Sequence, residues 1–180
     1  MEVSFVRVRG QRDRIYVRRT DGSDVSWVFP TYGDELPHDL IHLVVEAAFG
    51  VRQGFWGRVD AGVDPARAND EANRTGGPDK YRGFGDDRRE ILLAEGLAGG
   101  RWLDRELSDE GRREGIAESC EKLGIKLPDA VTLERMEQVR AVLGRLRQEW
   151  RAIEAKGTIK LQFDARDLER SFAEITAGTP

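Results

Sequence analysis

The segment Leu36–His42, LPHDLIH, contains both histidines of the 180-residue chain. His38 and His42 are one helical turn apart, and Asp39 directly follows the first of them. Two imidazoles at this spacing on a helix can point at one metal ion. A neighbouring carboxylate can bind the same ion, accept a proton or orient an imidazole. The residue types and their spacing therefore predict metal chemistry, with His38 and His42 as ligands.

The predicted helix that carries these residues is apolar around most of its circumference. Within residues 36–49 the polar exceptions are His38, Asp39, His42 and Glu46, which form one narrow stripe at spacings of three and four. A helix with so little polar surface is expected to be buried, and its polar stripe then needs a partner, a cavity or water. We assign metal binding to His38 and His42, and ligand, base or orienting roles to Asp39 and Glu46.

A catalytic metal site needs at least one further protein ligand and an open coordination position. The candidates near the histidines in sequence are Asp34, Glu35, Asp60 and Asp64, and nothing in the sequence selects among them. Imidazole and carboxylate ligands suit Zn, Fe, Ni or Mn. Such an ion would lower the pKa of a bound water or hold an oxygen ligand. The sequence therefore predicts a divalent-metal-binding protein or metal-dependent enzyme whose reaction and substrate stay open.

The motif His38-Asp39-x-x-His42 resembles two known zinc signatures. It looks like the His-Glu-x-x-His motif of zincin metalloproteases with the glutamate shortened to aspartate, which implies a base role for Asp39. It also resembles the His-Asp-x-x-His motif of zinc-binding scaffold proteins of ubiquinone biosynthesis, a largely helical family. Where that family has a further glutamate, this chain has Gly54. The resemblance concerns the chemistry of the site and does not extend to the rest of the chain.

The same residues also suit an ordinary helix start. Pro37 is favourable there because its missing N–H would have no helical partner, and Asp39 in the first turn complements the helix dipole. His38 would then be exposed, and His42 and Glu46 would form a surface pair one turn apart. The sequence leaves both interpretations open.

Strands are predicted at both ends of the chain and helices in the middle. Residues 2–8, 13–19, 24–30 and 158–164 alternate in β-branched and aromatic side chains, and the first three are joined by short turns. Helices are predicted over residues 36–49, 88–95, 108–123 and 132–155, with a short helical or irregular segment over 51–63. The predicted fold class is therefore α+β, as a single domain over residues 1–180. Its antiparallel sheet has about four strands, three N-terminal and one C-terminal, with helices packed on one face.

Two segments carry no predicted element. Residues 64–88 are polar, glycine-bearing and aperiodic, and a loop of this length is either disordered or functional, so we expect a mobile segment or one that closes over a site. Its Tyr81 and Phe84 suggest that part of it docks. The residues after 164 are expected to fray.

The rival hypothesis is a non-catalytic interaction module. It would use an arginine-bearing sheet face or the long helix of residues 132–155. The sheet face combines six side chains on the first two strands: Phe5, Arg7, Arg9, Arg14, Tyr16 and Arg18. The apolar stripe of the long helix is expected in the core first and in a homodimer interface second.

Composition limits the partners and the location. The net charge of −4 gives no general attraction to nucleic acid, so that partner is not expected. No apolar run is long enough to span a membrane, and the N-terminal residues alternate rather than form a signal peptide. The lone Cys120 fits a reducing compartment. We therefore expect a soluble cytoplasmic protein that acts on a small molecule or another protein.

Overall fold

A four-stranded antiparallel sheet forms one layer of the protein in the computed structural model, which describes residues 1–29, 33–67 and 88–178. The strands are β1 (Glu2–Val8), β2 (Arg14–Arg18), β3 (Asp24–Val28) and β4 (Lys156–Gln162). Their order in the sheet is β3-β2-β1-β4, so the C-terminal strand lies beside the first strand. The α+β class, with three N-terminal strands and one C-terminal strand, is confirmed.

Helices cover the inner face of the sheet. They are α1 (His38–Phe49), α2 (Phe55–Asp60), α3 (Arg89–Ala98), α4 (Asp109–Lys122), α5 (Leu133–Ala152) and α6 (Leu168–Ala177). The core lies between the two layers because alternate strand residues, among them Val3, Phe5, Ile15 and Val17, turn their apolar side chains inward. Most of the predicted polar loop 64–88, with Tyr81 and Phe84, lies outside the described residues.

The central helix of the inner layer is α1, which contacts α2, α3, α5 and α6. Its apolar residues are almost completely buried, as the sequence pattern predicts. Gly50 ends the helix in the left-handed region at φ 75°, where a residue without a Cβ has no steric penalty. Asp39, His42 and Glu46 of the polar stripe are therefore buried among these elements, whereas His38 at the start of the helix is exposed.

Two predicted boundaries near the C-terminal end are wrong. The long helix ends at Ala152, because Ile153 adopts an extended conformation and Lys156 already pairs with Val8. Gly157, expected to end the helix, therefore lies within β4.

Helix α6 replaces the fraying that was expected after residue 164. The side chain of Asp167 accepts the backbone N–H of Arg170 and caps the helix. Leu168, Phe172 and Ile175 then form a buried apolar face on it.

The arginine-bearing face predicted for the first two strands does not exist as one surface. Side chains alternate between the two faces of a strand, and Phe5 and Arg7 are buried on the inner face. Arg14, Tyr16 and Arg18 lie on the outer face of β2. The aromatic and cationic groups of the two strands are thus separated by the sheet.

The long helix α5 uses its apolar stripe within the chain. Met136, Val139, Leu143, Leu146 and Trp150 are all buried in the core. This apolar face is therefore covered by the chain itself and does not favour the homodimer interface that was considered for it. None of the helices in the described part of the chain combines the length and apolar character that a membrane span requires.

Candidate metal centre

The first two turns of α1 bring the predicted histidine ligands together. His38 opens the helix and is exposed, whereas His42 has only 1% of its surface accessible. Their rings meet edge to face, with centroids 4.7 Å apart. The i, i+4 spacing thus places the two imidazoles side by side.

A carboxylate that could serve as a third ligand comes from α3, which packs against α1. Oε1 of Glu95 lies 3.7 Å from Nε2 of His42. One ligand atom from each of His38, His42 and Glu95 can be chosen so that all three lie within 4.8 Å of one another. Ligand atoms around a tetrahedral zinc ion are roughly 3.4 Å apart, so side-chain rotations would be enough to close this group on an ion. His38 is exposed and the side chain of Glu95 is 33% exposed, whereas His42 is buried.

The other ring nitrogen of His42 faces Glu46, which is completely buried. Oε1 of Glu46 lies 3.2 Å from Nδ1 of His42 and also accepts the backbone N–H of Phe55, while Oε2 accepts the N–H of Trp56. A carboxylate that accepts from two backbone donors is in its acceptor form, so Nδ1 of His42 carries a proton and donates it to Glu46. Nε2 is then the nitrogen left to face the acid on α3.

Gly54 makes this arrangement possible. A Cβ at this position would lie 2.7 Å from the carboxyl carbon and from Oε2 of Glu46, which is too close for non-bonded atoms. The glycine therefore lets the start of α2 approach the carboxylate closely enough to donate its backbone N–H groups. The further carboxylate near the two histidines belongs to Glu95 on α3.

Asp39 is buried on the same stripe but has a different environment. Its Oδ2 accepts the indole N–H of Trp27 at 2.9 Å, and its backbone oxygen accepts the indole N–H of Trp56 at 2.8 Å. Burial raises the pKa of Asp39 to about 6, and the Trp27 hydrogen bond offsets part of that rise. Among the described residues, Asp39 is not part of the ligand group that His38, His42 and Glu95 form.

The buried charges on α1 are strongly coupled. Burial lowers the pKa of His42, but the hydrogen bonds and charges of Glu46 and Glu95 outweigh burial and raise it to about 10. Burial also raises the pKa of Glu46, which would favour moving the shared proton to the carboxylate. The two backbone donors on Glu46 favour the carboxylate form, so the proton belongs on His42. Although part of His38 is exposed to solvent, the surrounding protein partly desolvates its ring and lowers its pKa, and the charge of His42 lowers it further.

The sequence did not identify the third ligand. The four acids considered for that role have other partners: Asp34 pairs with Arg7, Glu35 with Arg147, Asp60 with Thr20, and Asp64 with the backbone N–H of Ala66. Glu95 is far away in the chain and reaches the histidines only because α1 packs against α3. The sequence offered one indication that Glu95 faces inward. It shares a helix face with Ile91 and Ala98, which are both buried.

The site has to be interpreted from its own geometry. The chain matches no protein-family model, and no curated protein or solved structure is significantly similar to it.

Proposed function

We propose that this protein binds one divalent metal ion through His38, His42 and Glu95 and that it is a metal-dependent enzyme. The observation that supports the proposal is the orientation of His42. Its Nδ1 is held by Glu46, while its Nε2 faces Glu95 and lies beside His38. In metal sites, the ring nitrogen of a histidine that does not bind the ion usually donates its N–H to a carboxylate or another acceptor. Two imidazoles and one carboxylate suit Zn, Fe, Ni or Mn.

Three protein ligands would leave coordination positions for water or a substrate oxygen, and the ion would lower the pKa of a bound water. Glu46 is a positioning residue in this proposal, because its oxygens are occupied by His42 and by two backbone donors. Asp39 is the proposed proton carrier. Its pKa of about 6 lies near neutral pH, where a carboxyl group can both give and accept a proton.

A purely structural role for the same residues makes a different prediction. His42 would be a buried imidazolium held between the carboxylates of Glu46 and Glu95, and no ion would be needed. Both interpretations explain why polar groups are buried on α1. They differ in whether the purified protein contains metal.

We also propose a cytoplasmic location and a small-molecule substrate. The location is supported by the thiol of Cys120, which is buried and free of disulfide bonding. The substrate class is supported by the recessed position of His42 and Glu46 beneath the exposed His38.

The experiment that tests the proposal measures the metal content of protein purified without a histidine tag and without chelators. We expect about one equivalent of a single divalent metal per chain. Chelator-stripped protein is then titrated with Zn²⁺, Fe²⁺, Ni²⁺ and Mn²⁺. We expect His38→Ala to raise the Kd for the metal ion by about 100-fold or more. The substitution removes a proposed ligand from an exposed position and does not disturb the core.

The matched control is Glu118→Ala, which removes an exposed acid from α4 and is expected to leave metal binding unchanged. Wild-type protein that contains no metal and binds none of the four ions on titration would overturn the proposal. In that case, His42 would be a structural ion-pair residue.

A further inference from the structure

Outside the candidate metal centre, a second group of buried polar side chains lies where β1 and β2 meet α5. Arg7 is 2% exposed, Asp13 1% and Trp150 0%. The Nε of Arg7, both carboxylate oxygens of Asp13 and the indole Nε1 of Trp150 have no hydrogen-bond partner in the described part of the chain. The remaining unpartnered atom of this kind is Nε of Arg147, one turn before Trp150 on α5.

Arg7 links Asp13 with Trp150. The antiparallel register pairs Val6 with Arg14, and continuing it by one position sets Arg7 opposite Asp13. Both side chains are buried, so both point to the inner face of the sheet. The guanidinium of Arg7 stacks over the ring of Trp150, 5.6 Å from its centroid. Arg7 therefore lies beside both the buried carboxylate of Asp13 and the ring of Trp150.

Arg7 is held so that it does not satisfy Asp13 directly. Its Nη1 donates to the backbone oxygen of Trp150 at 2.6 Å, and its Nη2 donates to Asp34 at 2.6 Å. These two contacts fix the plane of the guanidinium. Burial raises the pKa of Asp13, and the charge of Arg7 opposes that rise.

The unpartnered atoms are of complementary kinds. Asp13 offers two acceptor oxygens, whereas Arg7 Nε and Trp150 Nε1 offer one donor each. Buried polar groups in folded proteins nearly always have partners, and a buried carboxylate without any is especially unfavourable. A small molecule that both donates and accepts hydrogen bonds would satisfy the whole group. Buried waters in proteins typically make about three such bonds.

We propose that an internal water site is built between Asp13, Arg7 and Trp150. The bound water donates to the carboxylate of Asp13 and accepts from the indole N–H of Trp150 or the Nε–H of Arg7. The site lies behind the Arg7–Asp34 ion pair, which ties the segment before α1 to the sheet. The water therefore helps to fix the guanidinium that anchors this segment, and it does so independently of any metal.

The four tryptophans supply both the probe and its controls. The indole N–H groups of Trp27, Trp56 and Trp102 donate to Asp39 Oδ2, to the Asp39 backbone and to the Leu97 backbone. Only that of Trp150 lacks a partner of this kind among the described residues. In water-selective ROE spectra of ¹⁵N-labelled protein, we expect the indole proton of Trp150 to give a cross-peak with a long-lived water. The other three indole protons should give none.

The variant Trp150→Phe assigns the signal by removing it. If that variant does not fold, the signal is assigned through NOEs from the Trp150 ring to Arg7, its stacking partner. A crystal structure with a water within hydrogen-bond distance of both Asp13 and Trp150 Nε1 would support the proposal. A direct hydrogen bond between Asp13 and Arg7 Nε without water, or a Trp150 indole proton with no water cross-peak, would overturn it.

Discussion

His42 is contacted by two carboxylates, one at each of its ring nitrogens. A histidine buried for packing alone needs one partner for its N–H. Here Glu46 already supplies that partner, and Glu95 faces the opposite nitrogen. The sequence predicted the stripe that contains His42 and Glu46 because both lie on one helix with known periodicity. It could not predict Glu95, because residues on separate helices are brought together by packing and not by spacing.

The first prediction concerns Glu95. The variant Glu95→Gln keeps the size of the side chain but removes its charge, so we expect metal affinity to fall by about 100-fold. Isothermal titration of chelator-stripped protein measures the change. Glu118→Gln, an equivalent substitution on α4, is the control. Equal affinity of the Glu95→Gln variant and the wild type would show that Glu95 is not a ligand.

The second prediction concerns pH and Asp13. Burial raises the pKa of Asp13 to about 6, and the charge of Arg7 opposes this rise. In the unfolded state the pKa of this carboxyl group is 3.8, so the folded state binds the proton more tightly. As the pH rises from 3.8 through about 6, Asp13 ionises and the free energy of unfolding falls. Asp13→Asn is expected to stabilise the protein by about 1–3 kcal/mol at pH 7.5 and by much less at pH 4.

Urea unfolding of the wild type and the Asp13→Asn variant at both pH values measures this difference. Asp24→Asn, on the exposed edge of β3, serves as the control and should show no such gain. A gain for Asp13→Asn that is the same at both pH values would contradict the assignment, because it would not arise from ionisation.

At the scale of elements, α1 is positioned by signals that are visible in its sequence. Its apolar circumference predicts burial, and Gly50 predicts its end. The signals for α6 were equally local: Asp167 is a good N-cap, and Leu168, Phe172 and Ile175 share one face. That helix was missed although its cap and its apolar face are both visible in the sequence. The predicted end of α5 was wrong because Lys156 pairs with Val8 in the sheet. This strand pairing ends the helix earlier than its own sequence indicates.

The third prediction tests how closely α1 and α2 approach each other. Gly54→Ala would place a methyl group 2.7 Å from the Glu46 carboxylate, so either the acid or the start of α2 must move. We expect a loss of about 1–3 kcal/mol in unfolding free energy and weaker metal binding, because His42 loses its fixed partner.

The matched substitution for this prediction is Gly144→Ala, in α5. An added Cβ there meets nothing within 4 Å, and alanine is the better helix former, so we expect a gain of about 0.5–1 kcal/mol. Thermal and urea unfolding of the two variants provide the comparison. The prediction for Gly54 fails if both glycines tolerate alanine equally well.

At the scale of the whole molecule, the candidate metal centre lies between two helices that are far apart in the chain. An ion held by His38 and His42 of α1 and by Glu95 of α3 would join these helices only in the folded state. Ligands that bind the folded state alone stabilise it by mass action. Metal binding should therefore be measurable as global stability, without any knowledge of the reaction.

The fourth prediction follows from this coupling. At a free metal concentration about 100-fold above Kd, we expect a stabilisation of about 2.7 kcal/mol, which corresponds to a rise in Tm of about 5–10 °C. Excess chelator should reverse the shift, as differential scanning calorimetry can show. His38→Ala should respond to the same metal concentration by only about 1 °C or less. An equal rise in the variant would place the bound ion elsewhere.

The pairing of β1 with β4 also determines when the protein can fold. β1 is an inner strand of the sheet, but one of its two neighbours is made of residues 156–162. During synthesis on the ribosome, β1 has only β2 beside it until almost the whole described chain has emerged. Its other edge stays open to nascent neighbours throughout that time, as unpaired strand edges favour association between chains. A lower level of expression, which places fewer nascent chains near one another while this edge is open, should therefore increase the yield of folded protein.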